Sequence, residues 1–146
     1  MHNTTQKMSK TAQRIISMLM AITVVCGGIS LFFPFLVKLN VHGGDVTLPE
    51  SYDGHQYRGS LVVLLLMIVN LFVIGKSNWI PIVFSILTVA VVGIIRVSIH
   101  SQGGIDHDYD SKTGVGFLLI FLASCAHFIL VLSAYLLQWK TARSTL

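Results

Sequence analysis

Apolar positions in this chain neither alternate nor mark a single helical face. They run almost without interruption in four blocks set apart by polar segments. The blocks cover Ile15 to Val37, Tyr57 to Gly75, Trp79 to Ile99 and Val115 to Trp139. A helix needs roughly 17–25 residues to cross a bilayer, and each block meets that length, the second being the shortest. Backbone groups in lipid must be satisfied within the segment, so each block predicts a helix, even the β-branched "LTVAVVGIIRVSI". The expected fold is an all-α membrane protein, a single domain over residues 1–146 built as a four-transmembrane-helix up-down bundle. The first block runs well past the roughly 7–15 residues of a signal-peptide core, and no A-x-A site follows it, so it reads as a retained span. Ser77 or Asn78 suits the cap of the third helix and Pro81 its first turn. The short "GKSNW" connection predicts that spans two and three form an antiparallel hairpin.

The polar segments orient the bundle. Lys7, Lys10 and Arg14 precede span one, Lys76 separates spans two and three, and Lys140 and Arg143 follow span four, with no acidic residue among them. All six acids, Asp45, Glu50, Asp53, Asp106, Asp108 and Asp110, lie in the other two connections. The positive-inside rule therefore predicts cytoplasmic termini and two outward loops, with Trp79 and Trp139 as anchors at the cytoplasmic boundary. This accounts for the basic balance, formal net charge +4, without a nucleic-acid groove, for which the basic residues do not cluster. Only 11% of residues are charged and mean hydropathy is +0.75, values of a membrane protein. Cys26 and Cys125 lie in apolar runs with no metal or redox spacing and read as small buried hydrophobes.

In the first outer loop, "KLNVH" and "DVTLP" flank Gly43-Gly44, a pattern that suits a two-residue β-hairpin as well as an irregular loop. The second outer loop, "IDHDYDSKTG", opens as a calcium loop does, with Asp106, Asp108 and Asp110. Ser111 then replaces the turn glycine and Phe117 the bidentate glutamate, which excludes the usual EF-hand. His107 with Asp106, Asp108 and Asp110, joined by His42, His55 and His100 on the same face, offers a candidate metal cluster; the alternative is a solvated polar cap.

Three polar residues fall inside the spans, where buried polarity is costly and often functional. Arg96, on one face with Gly93 and His100, is expected to snorkel outward or pair with an outer aspartate. His127 shares a face with Gly116, Ala123 and Ala134, whose small side chains permit close helix approach. Asn70 on span two lies somewhat deeper toward the cytoplasm, and a His127–Asn70 hydrogen bond is the expected interhelical contact. Ser17, Ala21 and Gly28 form a second small face, on span one.

With "FFPF" at 32–35 ending span one, a polar outer loop and "GVG" at 114–116 opening span four, the layout resembles a set of small bacterial four-span inner-membrane proteins of unknown function. That resemblance implies a plasma-membrane location and no particular activity. The hairpin-bearing first loop is also similar to the claudin-like plan, whose W-x-x-G-L-W motif and paired loop cysteines are absent. No nucleotide loop, catalytic set or cofactor motif is legible. The leading expectation is a non-enzymatic accessory or assembly subunit, in contact with membrane lipids and with other membrane proteins or further copies of itself. The alternatives are a small oligomeric transporter or channel component using His127, Asn70 and Arg96, and a metal-handling protein using the outer His/Asp cluster.

Overall fold

The structure, a computed structural model, describes residues 2–42, 45–46, 50–74, 79–103 and 109–143, with side chains described at 11–37, 51–74, 79–99, 113–137 and 139. Four helices dominate: α1 His2–Ser30, α2 Arg58–Val73, α3 Ile80–Gly103 and α4 Val115–Arg143. Three contain stretches long and apolar enough to cross a membrane, Thr11–Ser30, Ile80–Ile99 and Val115–Leu137. At 16 residues α2 is about 24 Å long, short of the roughly 30 Å hydrocarbon core. α1 packs on α4 and α2, α2 on α3, and α3 on α4, so the helices close a ring in which sequence neighbours touch and the first meets the last. The hairpin expected of the second and third apolar blocks is the α2–α3 pair.

The helices carry large apolar side chains on their outer surfaces, among them Ile22, Val25, Leu65, Phe72, Ile94, Leu122 and Ile129. Their inner faces hold Thr23, Ser30, Ser60, Asn70, Ser85, Thr88, Ser124 and His127. Helices apolar on the outside and partly polar within are made for lipid, not water. Cys26 lies on the outer surface of α1, and Cys125 is half-buried, so the first is not the buried hydrophobe its sequence context suggested.

The first apolar block is not one helix to Val37. It breaks at Ser30 and resumes as a strand at Pro34. Proline has no N–H to continue the helix and disfavours helical geometry in the residue before it. The last turn tightens through bonds from the N–H groups of Leu31, Phe32 and Phe33 to the carbonyls of Gly28, Ile29 and Ser30. The freed carbonyls of Leu31 and Phe33 then accept from His55 and Gly54, which lie in a 3-10 turn, Gly54–Gln56.

One end of the bundle carries a small antiparallel sheet. β1 (Pro34–His42) meets β2 (Asp45–Val46) with His42 opposite Asp45, so residues 43 and 44 connect them, as the Gly-Gly hairpin pattern suggested. β1 also pairs β3 (Glu50–Asp53) and β4 (Tyr109–Thr113). Leu36, Val37 and Lys38 pair with both, so β3 and β4 lie on opposite edges of β1. The second polar loop thus supplies a strand to the first. A register irregularity between Pro34 and Leu36 explains how adjacent residues Phe35 and Leu36 are both buried, against the period of two that a regular strand imposes.

Candidate functional site

Two apolar clusters divide the bundle interior. Near the sheet, Leu31, Phe35, Leu36, Val63, Met67, Val92, Ile95, Ile99, Phe117, Ile120 and Ala123 pack together. Toward the other end, Ile16, Met20, Val131 and Ala134 form a smaller group. Between them lies a polar layer to which every helix contributes: Thr23 from α1, Asn70 from α2, Ser85 and Thr88 from α3, Ser124 and His127 from α4. Asn70 and His127 are fully buried. Both stand twelve residues into helices that begin at the sheet end, about 18 Å deep.

The expected His127–Asn70 bond is not the one formed. His127 Nδ1 meets Thr23 Oγ1 at 2.9 Å, and Asn70 Nδ2 donates to Ser85 Oγ at 2.7 Å. Depth along the helices suggested the wrong pair, because the neighbours around the ring supply the partners: α4 lies against α1, and α2 against α3. The signal for Thr23 was present in the sequence. Met20, Thr23, Gly27 and Ser30 recur at helical spacing and form the buried face of α1, while Ser17, Ala21 and Gly28 are only half-buried.

The hydroxyls fix the protons. Thr23 Oγ1 donates its one hydrogen to the Met20 carbonyl at 2.7 Å, so it accepts from His127. The imidazole therefore carries its hydrogen on Nδ1 and presents a bare lone pair at Nε2. Ser85 likewise donates to the Pro81 carbonyl at 2.8 Å and accepts from Asn70. Thr88 donates to Phe84 and Ser124 to Ile120, at 2.8 and 2.7 Å. Among the described residues, the two buried polar side-chain atoms without a partner are His127 Nε2 and Asn70 Oδ1, both acceptors.

Thr23→Val is expected to strip His127 Nδ1–H of its acceptor and so destabilise the bundle by about 1–3 kcal/mol. Thermal unfolding in detergent checks this; a variant as stable as the parent would show that the bond contributes nothing.

The other sequence candidates do not converge with this layer. Arg96 lies on the outer surface of α3, nearer the sheet end. Asp106, His107 and Asp108 lie outside the described residues; Asp110 lies in β4, where its backbone pairs with Leu39. Their metal-binding expectation therefore has no described side-chain geometry. Among the described residues no group of three His, Cys, Asp or Glu side chains could hold a metal ion. A groove of about 510 Å³ between α3 and α4 is lined by Ile86, Val89, Ala90, Cys125, Phe128 and Ile129, with little polarity to orient a ligand. Trp79 and Trp139 are exposed at the end remote from the sheet. Comparison with protein-family models, curated proteins and solved structures returns no match.

Proposed function

We propose that this chain is a non-enzymatic accessory or assembly subunit of a plasma membrane, crossing it four times with both termini in the cytoplasm. Its sheet is the outward contact surface, for another membrane protein or a further copy. The observation that carries the reading is the pairing of β4 with β1. Both polar connections contribute to one antiparallel element seated on Phe35 and Leu36, where loose loops would have sufficed for a solvated cap. β3 and β4 flank the central strand, and strand edges are natural templates for pairing with another chain.

Three physical arguments support the remainder. Among the described residues, Lys7, Lys10, Arg14, Lys140 and Arg143 lie on helix segments remote from the sheet, and Asp45, Glu50, Asp53 and Asp110 lie in its strands. The outer helix surfaces are apolar enough to meet lipid tails or a neighbour's helices. The short α2 crosses beside α3 by local thinning of the bilayer, at fractions of a kcal/mol per ångström of mismatch.

The test is a mild-detergent pull-down of tagged protein from its native membrane, compared with a variant bearing Ser111→Pro and Lys112→Pro. Adjacent prolines remove backbone donors from β4 whichever way the ladder alternates. The parent should bring down a stoichiometric partner, or itself as an oligomer. The variant, with its helices intact by circular dichroism, should lose it. Retention with the sheet broken would sink the proposal.

A further inference from the structure

We propose that the outer edge of β4 pairs with β4 of a second copy of this chain, in a two-fold dimer centred on Ser111. The inference rests on the reading of the sheet as a contact surface and names its partner and register. β4 pairs with β1 on one side, and among the described residues no strand pairs with its other side. The direction of its backbone groups follows from the ladder. The Gly114 N–H donates to the Phe35 carbonyl at 2.9 Å, and the register Leu36 to Thr113 sets those two residues opposite each other. Hydrogen-bonded and open pairs alternate in an antiparallel ladder. Lys112 with Val37 and Asp110 with Leu39 are therefore the next hydrogen-bonded pairs. The N–H and C=O groups of Tyr109, Ser111 and Thr113 are directed away from β1, toward the outer edge. Such an edge is a template for another strand.

The sequence "YDSKT" complements itself. With Ser111 opposite its own copy, Tyr109 falls opposite Thr113, and Asp110 opposite Lys112, each twice. The three outward residues then form the hydrogen-bonded pairs. Asp110 and Lys112 fall at the closer, open positions, about 4.5 Å apart at Cα, where opposite charges attract best. Charges on an edge strand ordinarily discourage pairing, and here they select one register. Sliding to the next register that keeps the hydrogen bonds sets Asp110 opposite Asp110, or Lys112 opposite Lys112. β3, on the opposite edge of β1, offers Glu50 and Asp53 and no base, so a second copy there would only add like charge. The arrangement also suits two copies in one membrane. Their two-fold axis runs along the membrane normal, and antiparallel edge pairing requires it to pass through the plane of the sheet. β1 follows α1, holds the starts of α2 and α4 through Phe35, and contacts α3, so it lies across the bundle end.

The experiment is disulfide cross-linking of the full chain in its native membrane under a mild oxidant, in a Cys26→Ala, Cys125→Ala background. Ser111→Cys exchanges one atom and leaves the backbone bonds of β4 in place. It should give a linked dimer, because opposite residues in a hydrogen-bonded pair lie about 5.5 Å apart at Cα, within disulfide reach. Tyr109→Cys alone should not, because the two copies of that position lie roughly 14 Å apart along the strands. Adding Asp110→Lys to Ser111→Cys should lower the linked fraction about tenfold. Adding Lys112→Asp as well restores the opposite signs and should recover it. Equal linkage at 109 and 111 marks random collision and overturns the proposal. So does linkage that ignores Asp110→Lys, or that the double exchange does not recover. No linkage at 111, while the double-proline variant still loses its partner, overturns this inference alone and makes the partner a different protein. No linkage at 111 and a partner retained by that variant reject both readings.

Discussion

Phe35→Ala is expected to cost about 3–5 kcal/mol and to free the sheet from the bundle. Phe35 is a strand residue that does a core residue's work. It is fully buried, stacks on Tyr57 at 5.7 Å between ring centroids and meets Phe117 edge-on at 6.1 Å. Phe117 in turn stacks on Phe121, so one ring ties β1 to the start of α2 and the start of α4. Gly54 lies flat against it; a Cβ there would come within 2.3 Å of the ring. Truncation to alanine removes the aromatic pairs and leaves a cavity that the rigid surrounding backbone cannot close. The thermal midpoint in detergent should fall steeply. Limited proteolysis should cut the connection between α1 and α2 while the helices remain protected. Equal protease resistance in parent and variant would show that the ladder alone holds the sheet down.

The position of Phe35 marks where sequence reading stops. The apolar blocks were legible because lipid demands long uninterrupted runs, and the α2–α3 hairpin followed from the shortness of its connection. Gly43-Gly44 suited a two-residue hairpin and an irregular loop alike, and the pairing of His42 with Asp45 decides for the hairpin. Pro34 can end a helix, yet "FFPFLV" is equally apolar on either side of it, so the block reads as one span to Val37. A strand anchored through a bulge hides inside such a run, since burying both Phe35 and Leu36 erases the alternation that would reveal it. β4 was hidden for the opposite reason. "YDSKT" has little strand character of its own and becomes a strand by pairing with β1, a contact about seventy residues away in the chain.

The polar layer was half legible. Asn70 and His127 stood out as polar residues deep in apolar runs, and the small residues beside His127 pointed it inward. Depth along each helix can be counted from the sequence; the order of helices around the ring cannot. Thr23 and Ser85 are ordinary residues for a membrane helix, and only the α1–α4 and α2–α3 contacts make them the partners.

The second large effect belongs to Gly114, in the "GVG" that opens α4. Its N–H donates to the Phe35 carbonyl at 2.9 Å, closing the β1–β4 ladder immediately before the helix begins. A Cβ on Gly114 would stand 2.0 Å from the Pro34 carbonyl oxygen, and one on Gly116 would stand 2.5 Å from that of Phe33. Both obstacles are backbone, so neither can swing aside as a side-chain tip would. Phe33 is itself held by the bond from Gly54, and Pro34 by its ring and by the ladder opposite Asp53. Gly114→Ala must therefore push β1 away from α4, and Gly116→Ala must separate the end of α1 from the start of α4. Each is expected to destabilise by more than about 3 kcal/mol, at or beyond the usual range for overpacking. Gly93→Ala is the control. It meets nothing within 4 Å on the outer surface of α3, and should stabilise by about 0.5–1 kcal/mol through helix propensity alone. Folded yield and thermal midpoint of the three variants in one detergent decide the matter. If all three behave alike, the close approach of β1, α1 and α4 at the sheet end is not what holds the bundle to its sheet.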